Sequence, residues 1–341
     1  MNGKNKAKGF AAFLAAAVSL TGCKGYSDGN MKTAEFFAMD TYISISACGE
    51  NAETALDSCR REMAALDARL SVTNSDSEIY RINQGAKKGV MLSEDAEKII
   101  AAALEISEKT EGALDISLYP VIREWGFTTG DYRIPDKSDI NRLLKNVGYD
   151  KISLKDSVLT MPEKFQIDLG AAAKGYAGDK AIELLKESGA KSALVNLGGN
   201  IALLGTKPDG SDWSIGVQNP FGEGYACIVE ARDKAIVTSG NYQRYFEEDG
   251  RRYCHIIDPK TGCPADNGLA SVTVIGGSGL ICDGLSTALF VMGEKDAVEF
   301  WKEQGDFEMV IVTEDKRVLV TEGIFDDCKV GELGKLEKIV K

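Results

Sequence analysis

The chain has 341 residues, with 40 basic and 52 acidic side chains, a formal net charge of −12, one histidine and eight cysteines. An acid surplus on this scale argues against nucleic acid as a partner, whose phosphates it would repel. With 44% apolar residues, no internal repeat and no low-complexity tract, the chain is long enough to bury a large core.

Lys4, Lys6 and Lys8 precede an apolar run from Phe10 to Leu20. That run is too short to span a bilayer but suits the apolar region of an export signal. It closes on Leu20-Thr21-Gly22-Cys23, which resembles the lipobox of bacterial lipoproteins. The expectation is cleavage after residue 22, lipidation of Cys23 and anchorage to the outer face of the cytoplasmic membrane, the periplasmic side in a Gram-negative cell. The alternative is an ordinary signal peptide with a chance cysteine. Cleavage would remove three lysines and no acid, leaving a net charge of −15. Residues 23–35 are polar and Gly-containing, as a tether would be, and 36–341 are expected to form the domain. The seven later cysteines match no zinc spacing, and most read as buried thiols rather than a disulfide framework.

The alternating stretch 36–46 predicts a strand. Ala55, Cys59, Met63, Leu66 and Leu70 share one face of a helix over 51–70, and Ser93 caps a second that runs to Lys109. Residues 71–78 between them are polar loop, and Gly112-Ala113-Leu114-Asp115 is a turn. An apolar run ends at Asp168, breaks at Gly170 and restarts as a helix that stops at Gly189. Strands follow at 192–197, 200–204, 213–217, 226–232, 235–238, 252–257, 269–275, 308–313 and 317–321, with helices near 280–292 and 294–304. Short Gly-punctuated strands with segregated helices imply an α+β domain with a mixed, largely antiparallel sheet.

Several stretches carry chemistry. Ala171, Ala172, Ala173, Gly175 and Ala177 leave the first turn of the 170s helix almost bare, and Lys174 sits there with the free amides, a good phosphate site. The same residues also suit a tightly packed turn with a solvated lysine. Asn196-Leu197-Gly198-Gly199-Asn200 reads as a hairpin turn, and 238–244 as a loop in which Arg244 is a plausible phosphate partner. His255 begins a turn at a strand end and has the pKa that suits proton transfer near neutrality. Asp283 and Thr287, four apart on a helix, project from one face and together suit Mg²⁺, although from these residues alone Asp283 reads first as a helix-terminus charge.

In their order these stretches resemble the ApbE family of FAD:protein FMN transferases across the mature chain. The resemblance rests on Met39-Asp40-Thr41, Leu70-Ser71 with Asp76-Ser77-Glu78, and Gly112-Ala113-Leu114-Asp115. It continues in residues 168–176, 196–200, 239–242, 255–262 and 283–288. It implies FAD contacts at Met39, Ala113, Leu114, Asp115, Asp168, Lys174 and Ile257, and Mg²⁺ held by the Ala171 carbonyl with Asp283 and Thr287. The implied reaction moves FMN from FAD to a Thr or Ser hydroxyl of an acceptor protein and releases AMP, with His255 as candidate base. Implied acceptors are subunits of Rnf-type and NADH:quinone reductase complexes and other exported FMN-binding domains. An FAD pyrophosphatase and a non-catalytic flavin-binding lipoprotein are the rival readings. Two departures stand out: Thr73 where some members carry an aromatic residue, and Cys282 where alanine is usual.

Overall fold

The computed structural model describes residues 31–341. The expected signal segment, Cys23 and most of the tether lie outside the described residues. The first half contains β1 (Lys32–Ala38), β2 (Thr41–Cys48), α1 (Ala52–Leu70), α2 (Glu78–Gly85), β3 (Val90–Met91), α3 (Glu94–Lys109), α4 (Tyr119–Glu124), α5 (Lys137–Leu143), β4 (Ser153–Lys155) and β5 (Val158–Thr160). Then come α6 (Ala173–Glu187), β6 (Ser192–Leu197), β7 (Asn200–Leu204), β8 (Trp213–Gln218), β9 (Tyr225–Ala231), β10 (Ala235–Gly240), β11 (Tyr245–Glu248), β12 (Arg251–Cys254), β13 (Ile257–Asp258) and β14 (Cys263–Pro264). The chain ends with β15 (Leu269–Gly276), α7 (Gly279–Met292), α8 (Glu294–Gln304), β16 (Glu308–Thr313), β17 (Val318–Thr321), β18 (Cys328–Val330) and β19 (Glu337–Ile339).

Nine strands form one sheet in the order β1-β2-β6-β7-β10-β15-β16-β17-β19. Every pairing in it is antiparallel except β17 with β19. Both faces are covered. Val195, Val237, Val272, Val274 and Ile311 pack with α1, α3, α6 and α7 on one side. Leu194, Ile201, Ile236, Val310 and Val320 pack on the other against Trp213, Ile215 and Val229 of the small sheet β18-β9-β8. Burial on both faces explains why β6, β7 and β15 are buried throughout and read as continuous apolar runs. A third cluster, Trp125, Phe127, Phe246 and Ile257, holds β11–β13 against α4.

The α+β expectation and the largely antiparallel sheet are what the chain forms, and the five residues expected on the buried face of α1 are all buried. Two local expectations change. The stretch 36–46 is two strands, because Met39 and Asp40 turn the chain with φ of 52° and 56°. Neither is glycine, and Asp40 alone is of a type that tolerates this backbone, so the turn signal in the sequence is weak. Among the described residues strand pairing already begins at Lys32, with Lys32 to Glu35 paired to β2 ahead of Phe36. The stretch after the 112–115 turn is a short 3₁₀ turn followed by α4, and the run ending at Asp168 is irregular.

Candidate active site

The site forms where two helix starts and three strand ends meet. Helices α6 and α7 cross at glycines: a Cβ on Gly279 would lie 2.5 Å from the Gly175 carbonyl oxygen, and one on Gly175 would lie 2.7 Å from Asp283 Cβ. Only paired glycines allow that approach. Asp179 fastens the crossing from α6, its carboxylate accepting from Gly279 N–H (2.7 Å), Leu280 N–H (3.0 Å) and Ser278 Oγ–H (2.9 Å) at the start of α7. The crossing delivers Asp283, 3% exposed, to the N-terminus of α6.

There Asp283 Oδ2 accepts the Gly175 amide at 2.9 Å. Gly175 is in the first turn of α6, where backbone amides have no intrahelical acceptor, so the Asp283 carboxylate caps the helix start. Burial pushes the Asp283 carboxyl up from its usual range, against the pull of Lys174 and the Gly175 amide. Asn200 adds a buried Nδ2 with no hydrogen-bond partner, although it lies near enough to Asp283 to favour the carboxylate. The contact is proximity rather than a formed bond. Thr287 Oγ1 lies 3.3 Å from the Asp283 carbonyl oxygen and 3.2 Å from Ser239 Oγ, which also meets Ser286 Oγ at 2.8 Å. Asp283 and the Thr287 hydroxyl are thus hard oxygens with one formal charge on α7, beside the α6 start that follows Ala171. That set fits Mg²⁺, which takes one or two carboxylates and completes its shell with water or substrate phosphate. Among the described residues no group of three His, Cys, Asp or Glu side chains is placed to hold a metal.

Lys174 lies half-buried in the first turn of α6, its Nζ 3.3 Å from the Gly170 carbonyl oxygen. Its charge acts on Asp168, Asp283 and His255 alike, which places the four groups around one space. Asp168 folds over its own turn, accepting Gly170 N–H at 2.6 Å, and burial raises its pKa despite that bond and the Arg244 and Lys174 charges. His255 sits deep in the cleft with part of its ring open. Burial first, then Arg244 and Lys174, lower its pKa to about 4. Its Nδ1 is 3.2 Å from the Arg244 carbonyl oxygen. A carbonyl only accepts, so when this bond forms Nδ1 carries the proton and Nε2 is left as the free base. The Phe127 ring edge, 6.4 Å away centre to centre, supports the imidazole.

Arg244 joins the strand ends to the site: its guanidinium donates to the Phe127 carbonyl and pairs with Asp40 at 3.5 Å. Asp40 belongs to the β1–β2 turn, and Gly198 N–H in the β6–β7 turn donates to Tyr42 O at 3.1 Å. Met39 is therefore carried on the same rim.

The 113–115 turn is placed differently. Ala113, Leu114 and Asp115 are buried. Asp115 has both oxygens engaged, Oδ1 with Ser117 N–H (2.8 Å) and Oγ–H (2.6 Å) and Oδ2 with Tyr149 N–H (2.9 Å). It shapes the floor under Asp168, whose amide donates to Ile116 O at 2.8 Å, and has no lone carboxylate oxygen to offer. Ile257 is buried in the aromatic cluster beside His255. Asn200, Ser239 and Asp179 had no individual signal in the sequence beyond lying in or near the polar and glycine-bearing stretches. A cavity of about 890 Å³ lies beside β12, lined by Trp125, Tyr253, Arg252, Asn241 and Glu314, and none of the site residues above lines it. Charge convergence, not volume, marks the site.

A model of the ApbE family matches residues 39–311 of this chain. The FAD:protein FMN transferase of Haemophilus influenzae is 34% identical over 270 residues, covering 75% of this chain and 77% of that protein. The enzyme of the same name from Salmonella typhimurium is 31% identical over 323 residues, covering 89% and 92%. Among solved structures, the ApbE protein of Thermotoga maritima superposes with a TM-score of 0.82 at 32% identity, over 86% of this chain and 98% of that one. The flavin transferase ApbE of Vibrio cholerae gives 0.78 at 27% identity, over 86% and 97%. The motifs, the fold and these matches over most of both chains agree, and the chain belongs to the ApbE family.

Proposed function

We propose that this protein is a magnesium-dependent FAD:protein FMN transferase that moves FMN from FAD onto a Thr or Ser hydroxyl of an exported or membrane flavoprotein and releases AMP. The observation that carries the reading is the meeting of one neutral histidine, two cations and one buried carboxylate at the start of α6. The relatives' printed names supply the reaction class.

The acceptor oxygen attacks the phosphorus on the FMN side, the bond to the AMP oxygen breaks, and the acceptor proton passes to His255 Nε2. Lys174 and Arg244 face the pyrophosphate oxygens, the amides of the α6 start being taken by Asp168, Leu169 and Asp283. A pyrophosphate between Lys174 and Arg244 would offset the two charges that hold the imidazole down, and so raise its proton affinity toward that of a useful base. Asp283, Thr287 and the Ala171 carbonyl would hold Mg²⁺, which supplies charge neutralisation at the phosphates. Met39, the 113–115 turn, Asp168 and Ile257 would position the flavin half, with Asp115 acting through the turn it locks. Because the imidazole is partly open, water can take the acceptor's place, and hydrolysis of FAD to FMN and AMP is the second reading. A lipid on Cys23 would hold the enzyme at the outer membrane face, where Rnf-type or NADH:quinone reductase subunits present acceptor residues.

Incubation with FAD, Mg²⁺ and a candidate FMN-binding acceptor tests this. Covalent flavin on the acceptor with equimolar AMP is expected. Free FMN plus AMP alone would establish the hydrolase, and intact FAD would refute both.

A further inference from the structure

Strand β18 is a three-residue edge strand paired only with β9. In their antiparallel register Cys227 lies opposite Val330 and Cys328 opposite Val229. Cys227 and Cys328 are therefore diagonal neighbours on one face of the small sheet, since residues two apart share a face. That face looks into the core beneath the nine-stranded sheet: Cys227 is fully buried there, and Cys328 packs at its border, half-buried. The two side chains act on each other's ionisation, raising the pKa of Cys227 and lowering that of Cys328. Both are free thiols.

We propose that Cys227 and Cys328 form a redox-active dithiol that a small disulfide oxidant closes into an intramolecular disulfide, latching the C-terminal edge strand to β9. The sulfurs have different tasks. The neighbouring Cys227 lowers the pKa of the Cys328 thiol, while Cys328 and burial raise that of Cys227. Cys328, the reachable one, attacks a sulfur of the oxidant RS–SR and expels RS⁻. Cys227 gives its proton to that thiolate, and its sulfur attacks Cys328 Sγ, breaking the mixed disulfide and expelling the second RS⁻. The two thiols lose two electrons and two protons, and the oxidant leaves as two RSH. Diagonal neighbours stand further apart than a relaxed bridge prefers, so β18 must shift inward. Such a strained bridge is readily reduced, which makes the latch reversible. Closing it would join residues about 100 apart and restrict the unfolded chain accordingly.

The test is peptide mapping without reduction, on the full chain exposed to oxidised glutathione and then blocked by alkylation. The expected result is a peptide pair joined through Cys227 and Cys328, loss of two free thiols at those positions, and a Tm several degrees higher that falls back with dithiothreitol. In Cys227→Ser, glutathione should remain trapped on Cys328; in Cys328→Ser, Cys227 should stay unmodified. Exposed Cys263 reports that the oxidant is active. If Cys263 is oxidised while Cys227 and Cys328 both remain alkylatable, or if wild-type Cys328 holds glutathione with no cross-link, the proposal is overturned. The wild-type map decides this even if a variant fails to fold.

Discussion

Gly175→Ala isolates the helix crossing on which the site depends. A Cβ at Gly175 would lie 2.7 Å from Asp283 Cβ and closer still to the Gly279 carbonyl oxygen. Ordinary contact begins near 3.4 Å, so α7 would have to retreat by roughly 1 Å. Alanine in a helix interior is favoured over glycine by about 1 kcal/mol. Overpacking against backbone, at the upper end of its usual range, costs about 3 kcal/mol. The net expectation is a loss of about 2 kcal/mol, or a Tm fall of roughly 3 °C for a folded chain of this length. Function should suffer more, because the retreat carries Asp283 away from the α6 turn, and a misplacement of about 1 Å costs on the order of 10²-fold. Gly178→Ala in the same helix is the control. Its new Cβ would find Ala202 Cβ at 3.5 Å and Leu197 Cδ1 at 3.6 Å, which is normal packing, so stability should hold or rise by up to about 1 kcal/mol. Differential scanning calorimetry and an FMN-transfer assay on both variants make the comparison. Equal Tm and equal rates for the two would refute the crossing as the determinant of the site.

Asp283→Asn tests the metal donors without turnover: with ADP as an unreactive pyrophosphate, adding Mg²⁺ at about 100 times its Kd should stabilise wild type by about 2.7 kcal/mol. The variant should show only the effect of ADP alone, and a wild-type response would remove Asp283 from the metal site. His255 is charged less readily in the fold than in the unfolded chain, its pKa lowered from 6.5 to about 4. The unfolded state therefore binds more protons in that window, and stability should fall as pH drops from 6.5 toward 4, by up to about 3 kcal/mol. The raised carboxyls of Asp168 and Asp283 oppose this slope, so the quantity to measure is the difference from His255→Asn, and parallel pH profiles would contradict the assignment. His255→Ala should bind FAD yet transfer FMN about 10²–10⁴-fold more slowly, whereas loss of FAD binding would mark a structural role. Cys23→Ser should release the protein from the membrane fraction, and unchanged retention would count against lipidation.

The strands of the second half were legible because burial on both faces writes them as apolar runs punctuated by glycine, as in β6, β7 and β15. Helix α6 was legible from its bare first turn and its Gly189 stop, where φ is +85°. The β1–β2 turn was not, because Met39 and Asp40 adopt left-handed backbone and Asp40 alone is of a type that tolerates it. The site itself was readable as separate polar clusters, and only the family resemblance assembled them. What joins Gly175 to Gly279 and Lys174 to His255 is tertiary contact across roughly 80 to 100 residues, which no local pattern encodes. The Asp115 carboxylate shows the converse: the motif pointed to the right turn but not to the three donors that occupy its oxygens.

The order of strands in the large sheet sets a timetable for folding. β2 finds its partner β6 only across the whole span from residue 48 to residue 192, whereas β6 and β7 close on each other through a two-residue turn. A chain emerging from its amino end would hold an unpaired β1–β2 hairpin, with Phe37 on its face, until nearly 200 residues had appeared. Non-local pairing of this kind is slow and leaves strand edges open to neighbouring chains. The vulnerable interval falls before β6 arrives, and agents that shield the amino-terminal hairpin during that interval should raise the yield of folded protein without altering the stability of the finished molecule.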